Sequence, residues 1–393
     1  MKSSTVHLAL PFFDDVHREL GQQLASWIPD QHIDESDDRQ ACKDWVKLLG
    51  EHGWLRYGVP AGPQGAWGGA LDKLDSRALV ILRETLAFHS PLADFAFAMQ
   101  GLGSGAITLA GTPAQQAAYL PQVASGQKIA AFALSEADAG SDAGAMTTSA
   151  TPTAQGWLIN GSKTWISNGD IADFYVTFVK TDAQAGTRGI TAYIIDADTP
   201  GLDSSAHIAV MAPHPLATLQ FSDCQLDGSA QLGVLNGGFK LAMQTLDIFR
   251  ASVAGAALGM ARRALAEAVA YAKTRKMFGQ TLADFQLTQA KIGEMAALVD
   301  AAALLTYRAA WLRDEGERVG APVRVTAEAA MAKMTATENA QRVIDMALQM
   351  HGGLGVKVGT KVESLYRDIR SLRIYEGATE VQQLIIGKAV LQS

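Results

Sequence analysis

The feature of this sequence that most constrains its fold is a change in the spacing of apolar residues at two points along the chain. Up to about residue 130, stretches such as SRALVILRETLAFH repeat apolar residues every three to four positions, as amphipathic helices do. From residue 131 to about residue 236, stretches such as ADFYVTFVKT and GITAYIIDAD are typical of strands and are separated by glycine, asparagine and aspartate. From Gly237 onward the helical spacing returns in long, alanine-rich segments.

These zones predict an α+β protein that is mostly α-helical. We expect an N-terminal helical domain over residues 1–130, a middle β-barrel-like domain over residues 131–236, and a C-terminal domain over residues 237–393. The last domain contains three long helical stretches and a fourth after the sequence EGATE, so a four-helix bundle is the simplest arrangement. A chain of 393 residues is long enough for two or three domains.

Three short motifs give local predictions. Thr112 before Pro113, with Gln115 following, indicates a helix start in which Thr112 and Gln115 form a capping box. The pair Asn160-Gly161 between apolar residues indicates a β-hairpin turn. The run GLGSG at residues 101–105 lacks the spacing of a dinucleotide-binding loop and follows no strand, so we interpret it as a connection between helices.

Composition excludes several classes of function. The formal net charge is −7 and there is no long basic tract, which argues against a nucleic-acid partner. The eight histidines are scattered without metal-ligand spacing, so we expect no metal site. The sequence HGG at residues 351–353 is not accompanied by a GxSxG motif, which disfavours a serine hydrolase.

The location of the protein is expected to be cytoplasmic. Cys42 and Cys224 are the two cysteines and form no CxxC pair, which favours a reducing compartment. The N-terminal residues contain no apolar segment of signal-peptide length, and no run of about eighteen apolar residues occurs that would predict membrane insertion.

Four segments occur in an order that resembles the acyl-CoA dehydrogenase family of flavoproteins. They are FALSEADAGSD at residues 132–142, GWLINGSKTWISNG at 156–169, RKMFGQTLADFQ at 275–286, and QMHGGLGV with YRDIRSLRIYEGATEVQQL at 349–356 and 366–384. The resemblance covers nearly the whole chain, including the helix–strand–helix order. It implies the fold of that family, an FAD cofactor, and α,β-dehydrogenation of an acyl-CoA thioester.

The first two segments are implied to bind the flavin. Seven of their residues match cofactor-binding positions of the family: Phe132, Leu134, Ser135, Ser141, Trp165, Ile166 and Ser167. Ser141 would also lie where the FAD pyrophosphate and the acyl-CoA meet, the Trp165 indole would cover the flavin ring, and the Ser167 hydroxyl would bond near its N5 atom. From the residue types alone, the first segment is equally a glycine-containing loop, and Trp165 also fits a residue packed in the β core.

The third segment and the start of the fourth are implied to contact the FAD of a neighbouring subunit. The matching residues are Arg275, Phe278, Gln286, Gln349, Gly352 and Gly353. An arginine suits a pyrophosphate because its planar fork donates two charge-assisted hydrogen bonds, although Arg275 alone also fits a solvated cation near a helix end. This implication requires a homodimer at least, and the family is commonly a dimer of dimers, that is, a homotetramer.

Glu376 is the implied catalytic base. Acyl-CoA dehydrogenation removes a proton from Cα and a hydride from Cβ, and the base must be partly desolvated to act near neutral pH. The implied substrate contacts are Ser141, Asp247, Arg250, Tyr375 and Gly377, and the Glu376 backbone N–H would polarise the thioester carbonyl. Thr379 is expected to contact FAD, although Ala378 stands where the family usually has threonine. Without the resemblance, Glu376 is more often a solvated surface acid.

Other reactions stay open on the same fold. The acceptor of the electrons would be a separate electron-transfer flavoprotein, but an acyl-CoA oxidase or a flavin monooxygenase would use O₂ instead. The acyl group could also be bound to a carrier protein rather than to CoA. A flavoprotein without catalytic activity that binds a partner or nucleic acid is a further alternative, although the acidic net charge counts against nucleic acid.

Overall fold

The computed structural model describes residues 1–320 and 325–392. Within these ranges the chain forms ten α-helices, listed here with their bounds: α1 (Asp15–Trp27), α2 (Asp38–Glu51), α3 (Ser76–His89), α4 (Pro91–Ala110), α5 (Pro113–Ala124), α6 (Gly238–Thr274), α7 (Gln286–Arg318), α8 (Thr326–His351), α9 (Lys361–Leu372) and α10 (Thr379–Gln392). The strands of the same ranges are β1 (Ala130–Ala133), β2 (Ser149–Thr153), β3 (Gly156–Ser167), β4 (Phe174–Lys180), β5 (Ile190–Asp196), β6 (Leu202–His207), β7 (Leu216–Asp227), β8 (Gln231–Leu232), β9 (Lys276–Met277) and β10 (Gln280–Thr281). The expectation of a mostly helical α+β fold is confirmed.

The contacts between residues divide the chain into two compact units. The first unit contains residues 1–32, 75–94 and 250–393, and the second unit contains residues 33–74 and 95–249. These units interleave along the chain because long-range packing, not chain order, defines them. The division of the sequence at residues 130 and 236 stays a prediction.

The second unit is built around an eight-stranded sheet in the order β6-β7-β3-β2-β4-β5-β8, with β1 paired parallel to β4. Its strands β4 and β5 are apolar and almost wholly buried, which is why their sequences lack a clear polar alternation. The core of this unit includes Phe174, Val176 and Phe178 of β4 together with Ile107 of α4 and Leu120 of α5. Burial of this apolar set supplies the main driving force for folding of the unit.

The first unit is helical. Helix α8 packs against α7, α9 and α10, while α3 packs against α1 and α7. Helix α9 is strongly amphipathic and buries Leu365 and Ile369, and it was not predicted as a separate helix. It ends at Leu372, seven residues before α10 begins at Thr379, so the YEGA stretch lies in the connection between the two helices.

The capping-box prediction is confirmed. The Gln115 side chain accepts a hydrogen bond from the Thr112 backbone N–H at 2.9 Å, and the Gln115 N–H donates to the Thr112 hydroxyl at 3.2 Å. These two hydrogen bonds satisfy the backbone N–H groups of Thr112 and Gln115, which would otherwise lack partners at the start of the helix.

The hairpin prediction at Asn160-Gly161 is wrong. Strand β3 runs through these residues, and its pairing with β7 shifts register between Ile159 and Gly161. The Asn160 side chain accepts from the Asp223 N–H at 2.8 Å and donates to the Asp223 carboxylate at 3.0 Å. The asparagine and glycine therefore form a bulge, in which Gly161 takes a φ of 134°.

The connection predicted at residues 101–105 is also wrong, because these residues lie inside α4. A Cβ atom on Gly101 would lie 2.6 Å from a ring atom of Phe249, and one on Gly103 would lie 2.6 Å from the Cβ atom of Ala130. The glycines thus allow neighbouring elements to approach the helix closely, which outweighs their low helix propensity.

One helix of the described chain meets a length-and-composition test for spanning a membrane. The segment Gln286–Gly316 of α7 has a mean hydropathy of 1.3 in its most apolar window, and 44% of that window is buried inside the protein. Core helices of soluble proteins pass the same test, so this is weak evidence and membrane insertion is not indicated.

Candidate active site and cofactor-binding residues

Glu376 lies in the turn between α9 and α10 of the first unit, with its backbone in the left-handed region. Its φ is 52°, and the φ of the following Gly377 is 93°. The left-handed region is costly for a residue with a Cβ atom, so the surrounding contacts must hold it there. Gln382 donates a hydrogen bond to the Gly377 carbonyl at 2.9 Å, and the Lys333 ammonium donates to the same carbonyl at 2.8 Å.

The Glu376 side chain is half-buried, and its Oε2 atom is sealed from solvent. Among the described residues, no group donates a hydrogen bond to this oxygen. Burial raises the pKa of Glu376 above its ordinary value, and the positive charges of Arg83, Lys333 and Arg250 oppose that rise. A carboxylate that is desolvated and makes no hydrogen bond through one oxygen can accept a proton from a ligand.

Arg83 lies near the base but is already engaged by its neighbours. Its guanidinium donates to both carboxylate oxygens of Asp94, at 2.8 and 3.0 Å, and to the Ser252 hydroxyl at 3.0 Å. Arg83 also hydrogen-bonds to the Tyr375 hydroxyl, whose pKa burial raises well above its ordinary value. Tyr375 is therefore a neutral, fixed side chain beside the base.

Thr379 begins α10, and its hydroxyl donates to the Glu338 carboxylate at 2.6 Å. The same carboxylate oxygen accepts from Arg373 Nε at 2.8 Å. These two bonds connect α8 to the residues on either side of the turn that carries Glu376, called the base turn below. The predicted contact of Thr379 with FAD stays a prediction, and its hydroxyl proton is occupied by Glu338.

The second unit brings the first two sequence segments together. The Thr164 N–H donates to the Ser135 carbonyl at 3.0 Å, so the loop after β1 runs beside the end of β3. The pairing of β3 with β7 is irregular between Lys163 and Ile166, and Trp165 takes a φ of 60°. This irregularity turns the Trp165 indole outward, where 57% of the residue is exposed.

The other predicted flavin contacts of this unit differ in exposure. Phe132, Ser135 and Ser167 are half-buried, whereas Leu134, directly after β1, and Ile166 of β3 are buried. Ser141 is exposed in the loop after β1. Ile166 and Leu134 can therefore offer mainly their backbone to a ligand, while Trp165 and Ser135 can offer side chains.

A buried ion pair fixes the loop after β1 to strand β3, and sequence reasoning missed it. The Lys163 ammonium donates to the Glu136 carboxylate at 2.8 Å and to the Leu134 carbonyl at 3.0 Å. Burial disfavours the charged Glu136, but Lys163 and hydrogen bonds from Thr147 and Thr148 outweigh this and lower its pKa to about 2. Burial lowers the pKa of Lys163 to about 8. A lysine at an inward-facing position of a strand was the available signal.

Four of the residues predicted to contact a partner's FAD line one cleft of the first unit. Arg275, Gln349, Gly352 and Gly353 border this cleft, whose volume is about 690 Å³. Lys291 also borders it and was not predicted. A cleft with two cations and two glycines suits a ligand that carries phosphates and approaches the backbone closely.

The remaining predicted residues do not border this cleft. Phe278 is 88% exposed, with a φ of 50°, between the short strands β9 and β10. Gln286 is exposed at the start of α7. Asp247 is half-buried and Arg250 is buried, both on α6.

The residues present fit FAD. A flavin needs a flat apolar surface and hydroxyl groups, which the exposed Trp165 indole and Ser135 provide. An adenosine pyrophosphate needs cations and close approach of backbone, which the cleft with Arg275 and Lys291 provides. Within residues 1–320 and 325–392, by contrast, no group of three or more metal-ligating side chains is placed to hold a metal ion.

Three family models match this chain and together span most of it. They are the N-terminal domain of acyl-CoA dehydrogenase over residues 15–127, the middle domain over residues 131–224, and the C-terminal domain over residues 236–391. The described fold and the matched ranges agree in their order of helices, strands and helices.

Individual relatives and solved structures agree with these matches. The chain is 37% identical over 389 residues to a 3-(aryl)acrylate reductase of Clostridium sporogenes, covering 97% of this chain and 100% of the relative. It is 38% identical over 374 residues to subunit CarC of a caffeyl-CoA reductase–Etf complex of Acetobacterium woodii, covering 94% and 95%. The solved butyryl-CoA dehydrogenase of Megasphaera elsdenii is similar with a TM-score of 0.87 at 32% identity, covering 96% and 99%.

A solved acyl-CoA dehydrogenase of Bacillus anthracis, in complex with FAD, is similar with a TM-score of 0.89 at 28% identity, covering 100% of this chain and 70% of that chain. The family matches, the relatives and the fold lead to one conclusion. This chain belongs to the acyl-CoA dehydrogenase family and is an FAD-dependent oxidoreductase acting on CH–CH groups.

Proposed function

We propose that this enzyme catalyses α,β-dehydrogenation of an acyl-CoA thioester and that Glu376 abstracts the α-proton. The observation that carries the proposal is the Glu376 carboxylate, which is half-buried and has one oxygen without a hydrogen-bond donor among the described residues. Bound FAD would supply the acceptor for the hydride that leaves Cβ.

The surroundings of Glu376 support proton abstraction. Burial raises the pKa of Glu376, which strengthens it as a base, while Arg83, Lys333 and Arg250 limit the rise. A base works best when its pKa lies near the operating pH, because it is then both ionised and basic. Tyr375 and Gly377 on either side would shape the position of the thioester, and the Glu376 N–H would stabilise the enolate oxygen.

The test is replacement of Glu376 by glutamine, which keeps the size of the side chain and removes its basicity. We expect the Glu376→Gln protein to fold and bind FAD, with anaerobic bleaching of the flavin by acyl-CoA slowed at least ~100-fold. The matched control is Glu19→Gln, because Glu19 is an exposed acid on α1. Bleaching at the wild-type rate by the Glu376→Gln protein would refute the assignment.

The substrate and the electron partner are proposed at a coarser level. One relative is a subunit of a caffeyl-CoA reductase–Etf complex, so we propose an electron-transfer flavoprotein as partner and CoA as the acyl carrier. A panel of short, branched and aryl acyl-CoA thioesters, each also presented on a carrier protein, separates these possibilities by anaerobic bleaching. Rapid peroxide formation in air would instead favour an oxidase.

The direction of the reaction is open to the same assay. Two relatives are named reductases of aryl-substituted acrylate or caffeyl compounds, so an enoyl thioester could be the physiological substrate. Adding enoyl-CoA to the photoreduced enzyme and measuring the return of the yellow colour tests reduction. The same Glu376 would then donate the proton to Cα.

We also propose that two subunits share each FAD site. The cleft with Arg275, Gln349, Gly352 and Gly353 supports this, because its residue types fit an adenosine pyrophosphate. Sedimentation of the apoprotein and of the FAD-loaded protein would test it. Monomers that hold FAD as tightly as the assembly does would contradict it.

A further inference from the structure

Two side chains from different helices hold the turn that carries Glu376, and they differ in charge. Lys333 of α8 and Gln382 of α10 both donate to the Gly377 carbonyl, at 2.8 and 2.9 Å. Gln382 also donates to the Glu376 carbonyl at 3.4 Å. Both side chains are wholly buried, so each contributes to holding the left-handed turn, but only lysine brings a charge.

A buried ammonium is costly unless a negative charge balances it. Among the described residues Lys333 has the neutral Gly377 carbonyl as its hydrogen-bond partner and forms no ion pair within 4 Å. Burial lowers the pKa of Lys333 to about 8. Among the charges that raise this pKa instead, the Glu376 carboxylate has the largest effect. The Glu376 carboxylate is therefore the foremost of the negative charges that favour the ammonium, ahead of Glu338 and Glu380.

The other charges near the base do not replace this one. The charges that act on Glu376 are Arg83 of α3, Asp94 of α4, Arg250 of α6 and Lys333 of α8, and Tyr375 is the neighbouring titratable group. Lys333 is also favoured in its charged form by Glu338 of α8 and Glu380 of α10. Asp94 binds Arg83 through two hydrogen bonds, which offsets the charge of that guanidinium. Glu338 binds Arg373 and Thr379 instead.

We propose that Lys333 is a positioning residue for the reaction: its ammonium fixes the Glu376 turn through the Gly377 carbonyl and favours the ionised form of the Glu376 carboxylate. This inference rests on the proposed role of Glu376 as the base. Proton abstraction requires the carboxylate, so the reaction rate falls as pH falls through the pKa of Glu376. Removing a nearby cation raises that pKa, because the ionised form loses a stabilising charge.

The experiment compares Lys333→Met with Gln382→Met in the FAD-loaded enzyme. Each variant loses a hydrogen bond to the Gly377 carbonyl, and Gln382→Met also loses the longer one to the Glu376 carbonyl, but only Lys333→Met loses a charge. We measure the rate of anaerobic flavin bleaching by acyl-CoA from acid to alkaline pH, with FAD content and Tm determined for each protein. The acid limb of the Lys333→Met profile is expected to move to higher pH by about one unit or more, while the limb of Gln382→Met stays at the wild-type pH.

A third variant covers the case in which Lys333→Met does not fold. Lys333→Gln keeps a donor for the Gly377 carbonyl and removes the charge, so it must show the same displaced acid limb. Acid limbs of Lys333→Gln and Lys333→Met that coincide with that of the wild type would overturn the proposal and leave Lys333 a purely structural residue.

The Glu376→Gln variant separates failure of this inference from failure of the proposed function. If Glu376→Gln abolishes bleaching and the lysine variants keep the wild-type limb, the inference alone is wrong. If Glu376→Gln bleaches at the wild-type rate, the base is another group and both ideas are wrong.

Discussion

Replacing Lys163 by methionine should loosen the segment of the second unit that is proposed to hold the flavin. Lys163 is wholly buried and donates to Glu136 at 2.8 Å and to the Leu134 carbonyl at 3.0 Å. Removing one partner of a buried ion pair typically costs about 3–5 kcal/mol, because the other charge is left unbalanced. Methionine fills a similar volume, so a cavity adds little to this cost.

The structure places the expected loss at the lower end of that range. Glu136 keeps three donors without the lysine: the Thr147 N–H at 2.6 Å, the Thr147 hydroxyl at 2.9 Å and the Thr148 N–H at 3.0 Å. We therefore expect local opening to become easier by about 3 kcal/mol. At 1.4 kcal/mol per tenfold change, amide hydrogen exchange in this segment accelerates about 100-fold.

The assay is hydrogen exchange followed by mass spectrometry on peptides that cover β1 and β3. The double variant Glu136→Gln/Lys163→Met should exchange more slowly than Lys163→Met, because no unbalanced charge is left. The control is Lys180→Met, since Lys180 is also buried in this unit but donates to the Gly186 carbonyl at 2.5 Å rather than to a carboxylate. Equal acceleration in the two single variants would refute the argument from charge.

The effect has a defined pH dependence. In the wild type the pKa of Glu136 is lowered from 4.5 to about 2, so its ionised form adds stability above the unfolded pKa and loses that contribution as pH falls towards 2. Without Lys163 the pKa rises, and protonation relieves the unbalanced charge already at mildly acidic pH. The difference between wild type and Lys163→Met should therefore shrink below about pH 4.

Two further substitutions test the base turn and the cleft. Gly377→Ala should slow flavin bleaching about tenfold or more with FAD content unchanged, because Gly377 has a φ of 93° and a Cβ atom would lie 2.4 Å from Gln382 Nε2; bleaching at the wild-type rate would contradict this. Arg275→Ala should weaken FAD binding to the apoprotein about tenfold to 100-fold, because a charged hydrogen bond is lost. Fluorescence titration measures this affinity, and Lys276→Ala at the exposed neighbouring residue is the control. Equal affinities in the two variants would contradict the cleft assignment.

The order of elements and the family could be predicted because they depend on local signals and on motifs. Apolar spacing predicted helices, then strands, then helices, and the Thr112–Gln115 cap needed only residues three positions apart. The same local rule failed at Asn160-Gly161, since the Asn160 side chain found a partner on another strand, Asp223. An Asn-Gly pair fits both a hairpin turn and a β-bulge, so the pair alone does not decide between these two structures.

The charges that surround the site were not predictable in this way. Lys333 and Gly377 are 44 residues apart, and Lys163 and Glu136 are 27 residues apart. In sequence, Lys333 is one cation in an alanine-rich helix, and such residues are mostly solvated. The helix packing of α8 against α10 brings it to the base turn, and this pairing cannot be read from apolar spacing.

The two buried lysines, Lys163 and Lys333, make the same kind of contact but are proposed to have different effects. Each donates to a backbone carbonyl of a functional segment, Leu134 or Gly377, and burial lowers the pKa of each to about 8. Lys163 forms a direct ion pair with the Glu136 carboxylate, and the two charges neutralise each other. Lys333 forms no such ion pair among the described residues, and the Glu376 carboxylate is the foremost of the charges that favour its ammonium. Charge removal at Lys163 should therefore alter the rigidity of its segment, whereas charge removal at Lys333 should alter the pH at which the base works.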